Sequence, residues 1–400
     1  MHRHLTLAMA SATIGCSQLS QPSSGVATPS FVRVGFTRYE IIDLGTLGGS
    51  SSSGVGVNGR GEVAGESVVS SGVLHAFVWS DGVMRDLGTL GEPSSYAFVL
   101  GINERGQLVG YESDFPNTVR AFLWSEGVLQ DLGDLGGDPY QSVANAVSGV
   151  GHIVGLSQAY HGIHAILWAN GTMIDLGTLD DPNGYSKSYA LDVNDADQVV
   201  GWSEIAGGAW HAFEWERGAM HDLGTLGGAA SQASKIDASG HVTGSSETAA
   251  GETHAFFWSS GVMQDIGTLG LASSGSPVAI NTRGQVAGNS GPKAFLWDGG
   301  AMVALGSLVE GGFAAASDMN DRGEIVGTAR VTSGASHAFP WKDGAMHDLG
   351  SLRGDYSAAA AISDSGDVAG WATTASGEQH AVLWRRAARA RSKVVAATDR

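Results

Sequence analysis

The stretch HAFVWSDGVMRDLGTLG, residues 75–91, returns along the whole chain. HAFFWSSGVMQDIGTLG (254–270) and HAFPWKDGAMHDLGSLR (337–353) are two of its copies. His75 to Trp79 alternates small, aromatic and β-branched residues, Ser80-Asp81-Gly82 punctuates, and Val83 onward alternates again. That is the pattern of two strands joined by a short turn. Working outward, four such motifs recur in fixed order. An Asp-Leu-Gly motif is headed by Asp43, Asp86, Asp131, Asp175, Asp222, Asp265, Ala304 and Asp348. A second motif ends in Asn, Asp or Ser at 58, 103, 148, 194, 237, 281, 320 and 363. A third, like Gln-Val-Val-Gly, closes at Gly65, Gly110, Gly155, Gly201, Gly244, Gly288, Gly327 and Gly370. The fourth, like His-Ala-Phe-Leu-Trp, closes at Trp79, Trp124, Trp168, Trp215, Trp258, Trp297, Trp341 and Trp384. Successive Asp-Leu-Gly copies lie 39 to 47 residues apart.

No window is long or periodic enough for a helix, so each repeat reads as four short strands. Repetition at this period predicts an all-β fold, an eight-bladed β-propeller of four-stranded antiparallel blades. The ends predict how it closes. The first Asp-Leu-Gly strand (39–45) lacks a partner upstream, and the last His-Ala-Val-Leu-Trp strand (380–384) lacks one downstream. Pairing them closes the ring and hides two edges.

The connections carry further expectations. Asn58-Gly59-Arg60-Gly61-Glu62 reads as a type I turn with a left-handed bulge residue. At the outer hairpin, Trp79-Ser80-Asp81-Gly82-Val83, the residue before the glycine is Glu126, Arg217 or Ser260 in other copies. Such side chains resist positive φ, so a three-residue bulged loop is expected there rather than a type I′ turn. The other two connections read as long, and alternation of strand direction puts both on one face. Binding is therefore expected on that loop face.

His-Ala-Phe-Leu-Trp, Asp-Leu-Gly-Thr-Leu-Gly-Gly and Ile-Asn-x-x-Gly-Gln-Val-Val-Gly together resemble the bacterial HAF-family extracellular repeat, over residues 39–384. The resemblance implies an exported bacterial protein with propeller-like repeats and does not imply an activity. Blade six departs most, with Lys293 for His and Ala304 for Asp.

Composition bounds the partners. The net charge is −18, and both termini are basic. Between 39 and 384 stand 13 basic against 39 acidic side chains, a net of −26. Such a surface repels phosphate backbones and anionic headgroups, so no nucleic-acid partner is expected. The single cysteine, Cys16, excludes a disulfide framework. It follows a short apolar run from Leu5 to Gly15, which reads as a signal peptide over 1–16, and Ala12-Thr13-Ile14-Gly15-Cys16 resembles the lipobox of a lipidated cysteine. Residues 17–38 read as a flexible tether, and 385–400 as a basic tail without fixed structure. The expected location is outside the bacterial cell, secreted or as an outer-membrane lipoprotein, with a lipid at Cys16 as the membrane attachment.

Motifs for known catalytic chemistries are not found: no Gly-x-Ser-x-Gly, no His-Glu-x-x-His, no phosphate loop. Asp318-Met-Asn320-Asp-Arg322-Gly323 resembles the start of a calcium loop, but Arg322 stands at a ligand position, so it reads as the repeat's own turn. No metal and no cofactor are expected. Every repeat opens its fourth motif with a hydrogen-bond donor: His75, Arg120, His164, His211, His254, Lys293, His337 and His380. Seven of these stand near an Asp-Leu-Gly aspartate, which reads as a structural contact repeated around the ring.

The informative positions break the repeat. After the third-motif glycine come Glu66, Tyr111, Leu156, Trp202, Ser245, Asn289, Thr328 and Trp371. Aromatic rings at Tyr111, Trp202 and Trp371 are expected to reach the loop-face mouth, where they can stack on a sugar or hold a peptide side chain. The loop before blade four adds Tyr185 and Tyr189, with Trp210 nearby in sequence. These six are the expected ligand-binding residues of an exported binding module for a glycan or protein segment. The alternative is an extracellular hydrolase or lyase, carbohydrate-active, with catalytic residues drawn from several blades. A carboxylate pair or His–carboxylate pair converging in one pocket separates the second from the first.

Overall fold

The computed structural model describes residues 30–34 and 37–387, apart from 92–93, 115–117, 181–184 and 271–273. The expected leader with Cys16 and the tail beyond 387 lie outside the described residues. Regular secondary structure among the described residues is entirely β-strand. Blade one runs Gly48–Val57, Val63–Val69, Leu74–Ser80 and Val83–Asp86, from the axis outward. The same antiparallel order fills 96–131, 142–175, 188–224, 227–267, 275–304 and 314–346. Blade eight takes Arg353–Ile362, Val368–Thr374 and Gln379–Arg386, and its outer strand, Thr37–Gly45, comes from the start of the chain. Among the described residues this makes eight blades. Each inner strand touches the next, and that of blade eight touches that of blade one.

Side-chain burial follows the ring. The hydrophobic residues form clusters that each draw on two adjacent blades, because a twisted sheet must bury its face against its neighbour. One cluster joins Val326, Ala338 and Leu349 of blade seven to Tyr39, Ile41, Val382 and Trp384 of blade eight. Another joins Leu44, Ala381 and Leu383 of blade eight to Val57, Phe77 and Trp79 of blade one. The motif tryptophans are thus wedges between blades. The third-motif glycines are needed for space. Each inner strand carries a bulge, as between Gly54 and Gly56, which presses the strand's carbonyl onto the second strand. A Cβ at Gly65 would stand 2.1 Å from the Ser53 carbonyl oxygen, and one at Gly201 1.8 Å from that of Tyr189.

Closure is as expected and extends further. Tyr39 pairs with Arg386, Ile41 with Trp384 and Asp43 with Val382. Two expectations about the ends are corrected. Ser30–Val34, expected in the tether, forms a strand antiparallel to Thr37–Gly45 and adds a fifth strand to the blade. Arg385 and Arg386, expected in the tail, belong to the closing strand. Arg386 donates to Glu324 at 2.7 Å and to the Tyr39 hydroxyl at 3.1 Å. Burial alone would raise the Glu324 carboxyl, but Arg386, Lys342 and Asn320 hold it down to about 2. Arg385 is exposed and lies over the Trp79 ring at 5.7 Å.

The turns also differ in part from expectation. The inner turn is as read: the Gly61 amide donates to the Asn58 carbonyl, with Gly61 at φ +75°. Asn58 Oδ1 accepts the amides of Arg60 and Glu62, while Nδ2 donates to the Asn103 carbonyl of the next blade. The outer hairpins, however, are two-residue type I′ turns. Asp81, Glu126, Asn170, Arg217, Ser260 and Asp343 all have φ between +49° and +53°, each followed by a glycine of positive φ. Ser80 and Val83 pair directly across the turn. Only the primed turn matches the right-handed twist of the flanking strands, and that outweighs the side chain's preference. The connection from third to fourth motif is also shorter than expected, because both strands run past their motifs. It takes residues 70–73 in blade one and only 291–292 in blade six.

Candidate functional site

The repeated histidines form the structural contact expected of them. Nδ1 meets an Asp carboxylate in His75–Asp86, His164–Asp175, His211–Asp222, His254–Asp265, His337–Asp348 and the closing His380–Asp43, at 2.8–2.9 Å. The same carboxylate accepts the amide of the glycine two residues on, as in Gly88 to Asp86 at 2.8 Å. This explains the Asp-Leu-Gly motif, since the glycine takes positive φ in that Asx turn. Arg120 departs from the expectation. It lies over the Tyr140 ring at 5.9 Å, and Tyr140 donates to Asp131 at 3.0 Å in its place.

These pairs couple stability to pH. The Asp348 hydrogen bond raises His337 above its ordinary 6.5 against the opposing effect of burial, and Asp43 does the same for His380. Burial would raise Asp348, but His337 and the Gly350 amide outweigh it and hold it below 3.8. A raised histidine contributes stability below 6.5 that is lost as pH rises through its folded value. A depressed aspartate contributes above 3.8, and that is lost as pH falls through its own folded value. The wild type is therefore expected to unfold at lower urea at pH 8.5 than at pH 5.5. In a His337→Gln, His380→Gln variant the difference between the two midpoints shrinks; an unchanged difference rules the pairs out as its source.

The repeat-breaking slot after the third-motif glycine does not lead straight to the mouth, as expected from sequence. It lies within the second strand, opposite the inner strand, and its side chains enter the gap to the next blade. Glu66 accepts the Val99 amide at 3.2 Å, and Asn289 exchanges two hydrogen bonds with Ala316, at 2.8 and 3.0 Å. Burial pushes the Glu66 carboxyl up to about 7. Tyr111 fills the same gap in blade two and stacks on Phe98, with centroids 4.9 Å apart. Burial raises its hydroxyl, and the Glu66 charge adds to this. Trp371, in the same position of blade eight, lines an opening of about 450 Å³ with Ser53, Ser317 and Thr328. Tyr111 and Trp371 thus belong to separate places from the other four.

Of those four, Tyr189, Trp202 and Trp210 come together, and Tyr185 joins two other rings. Trp202 stacks on Tyr189 at 4.3 Å and 14°, and its ring centroid lies 6.3 Å from that of Trp210. Trp210 pairs with Glu204 across the sheet, and the Glu204 carboxylate accepts the Lys187 amide at 3.2 Å. Tyr185, two residues before Lys187, meets His161 at 5.0 Å, and His161 meets Tyr160 at 4.4 Å edge-on. Tyr160 is 83% exposed, Tyr185 65% and Trp210 46%. The result is a broken band of rings in two parts, Tyr189, Trp202 and Trp210 on blade four, and Tyr160, His161 and Tyr185 where the loop of blade three meets the entry to blade four. Tyr160 and His161 escaped sequence reading because they sit in the connection between the second and third strands of blade three. Their signal was available, as Ala159-Tyr160-His161-Gly162 puts two rings where blade one has Ser70-Ser71-Gly72.

Three further His–carboxylate contacts lie outside the repeat's lock: His152–Asp197 and His241–Asp237, both at the tight turns of the opposite face, and His254–Glu252 at 3.4 Å. Asp318 is held by the amides of Met319 and Ile362 at 2.8 and 2.9 Å, and burial raises it to about 6. It therefore serves the turn and the blade seam. Among the described residues no His, Asp, Glu and Cys group suits a metal ion, and no helix is long and apolar enough to cross a membrane.

No family model matches the chain, and no curated protein matches it. Solved structures do. A prolyl endopeptidase superposes with a TM-score of 0.54 at 8% identity, over 75% of this chain and 50% of that one. The β-propeller domain of the Trilobed protease from Pyrococcus furiosus gives a TM-score of 0.46 at 10% identity, covering 75% of this chain and 97% of the domain. The acylaminoacyl peptidase of Pyrococcus horikoshii gives 0.40 at 12%, covering 78% and 54%. The chain spans about half the length of the prolyl endopeptidase. At these identities the likeness is one of fold.

Proposed function

We propose that this β-propeller is an exported binding module of the HAF-repeat type that holds a neutral glycan on its loop face. One observation carries the reading. Tyr160, Tyr185 and Trp210 stand 83%, 65% and 46% exposed, Trp210 beside Trp202 and Tyr189, and Tyr160 and Tyr185 on either side of His161. A core has no use for rings so exposed, while a sugar's C–H face finds a complementary surface on the negative face of an aromatic ring. The net −26 between 39 and 384 favours uncharged over sulfated or otherwise anionic chains. Hydrolysis is not proposed. Of the carboxyls whose pKa values rise, Glu66 and Asp318 are each tied to a neighbouring blade's backbone and Glu214 accepts from Gln198, so none is hydrogen-bonded to another.

A glycan-array screen of the full chain tests the reading. Neutral oligosaccharides are expected to bind, and a Trp202→Ala, Trp210→Ala variant is expected to bind about tenfold more weakly or worse, some 1.4 kcal/mol. Binding that survives both substitutions, or none at all, removes the proposal.

A further inference from the structure

Tyr111, Trp202 and Trp371 occupy one register position in three blades, yet only two of the rings are covered from the inner strand. Phe98 stacks on Tyr111, and Tyr189 on Trp202. The residue opposite Trp371 is Ala358. Among the described residues no ring lies against Trp371 at that position. Blades seven and one continue the thinning, with Ala315 and Ser53 where blades two and four place Phe98 and Tyr189. The space left on the axis is the opening of about 450 Å³, within the range that holds small ligands. Its walls carry the hydroxyls of Ser53, Ser317 and Thr328 beside Gly54, and no charged side chain. Glu66 and Asp318 stand near in sequence or register but are engaged with Val99 and Ile362 of the neighbouring blades.

We propose that this axial opening is a second binding site, for a single uncharged pyranose ring stacked on Trp371 with the three hydroxyls about its edge. The ligand class rests on the glycan reading; the site itself rests on the uncovered indole and is independent of the band in blades three and four. An uncharged wall suits a sugar without carboxylate, sulfate or amine, and an indole next to hydroxyls suits a ring with one apolar face and a polar rim.

The test is saturation-transfer NMR on the full chain with methyl glucoside, methyl galactoside and N-acetylglucosamine, each at about 10 mM, a range suited to weak single-ring binding. At least one sugar is expected to show transfer, strongest at the ring C–H protons. Trp371→Ala is expected to weaken binding about tenfold or more. Ala358→Phe is the companion variant: it fills the opening by copying the Phe98–Tyr111 stack, which blade two already accommodates. In the Trp202→Ala, Trp210→Ala background, where those rings no longer contribute, it is expected to fold normally and to abolish the transfer. The Trp202→Ala, Trp210→Ala variant alone is expected to keep the part of the transfer that Trp371→Ala removes. Transfer from none of the sugars overturns the site, as does transfer that survives Ala358→Phe in that background. Transfer lost only in the Trp202, Trp210 variant overturns the axial site and leaves the glycan reading standing. Array binding absent while this transfer persists does the reverse.

Discussion

A chain that begins at Thr46 is expected to lose its cooperative unfolding transition and to associate, where one beginning at Thr37 stays monomeric. The truncation removes the outer strand of blade eight and with it Tyr39, Ile41 and Leu44, which are 1%, 5% and 7% exposed. Burying a large side chain contributes about 1.5–3 kcal/mol, so the loss is on the order of 5 kcal/mol before any hydrogen bond is counted. That is comparable to the whole stability of many domains. The same cut frees the outer edge of Gln379–Arg386 and strips Asp43 from His380 and Tyr39 from Arg386. A free edge recruits another strand, so oligomers should appear by light scattering alongside the broadened urea transition. A monomer with an unchanged midpoint would show that the ring does not depend on its closing strand.

Trp384→Ala carries the second large effect. Trp384 is fully buried, and its Nε1 donates to the Leu349 carbonyl of blade seven at 3.2 Å. It wedges the closing blade against its neighbour within the cluster of Val326, Ala338, Tyr39 and Ile41. Truncating so large a buried ring costs about 3–5 kcal/mol, because the rigid seam cannot collapse to refill it. Trp258 fills the equivalent position in blade five but is only partly buried. Trp258→Ala is expected to cost less in the same urea titration. Equal losses at the two sites would mean that the seam of blade eight is no tighter than the rest.

Strand content, blade number, inner turn and closing pair were all legible in the sequence. Each depends on local chemistry that the chain repeats: strand-forming motifs bounded by glycine, an Asn that caps its own turn, and two motifs left without partners at the ends. Repetition also made the histidines readable, since a donor present in every blade had to serve the blade. The band at Tyr185, Tyr189, Trp202 and Trp210 was legible for the converse reason, as the place where the repeat differs from itself.

What the sequence alone determined, then, is everything governed by short-range preference and by period: eight four-stranded units, their order, the way the first strand completes the last blade, and the sector richest in unshared aromatics. Only the tertiary structure decided the rest, because it depends on what lies across a strand or a seam. Strand twist imposed a type I′ turn on Arg217 and Glu126 against their own preference. The closing strand pair took in Arg385 and Arg386, which the sequence presents as the start of a basic tail. Cross-strand register, finally, set Phe98 against Tyr111 and Tyr189 against Trp202 but only a methyl group against Trp371. Whether a ring is core or binding surface is a property of its neighbour, and neighbours some thirteen residues apart in the chain meet only when the sheet forms.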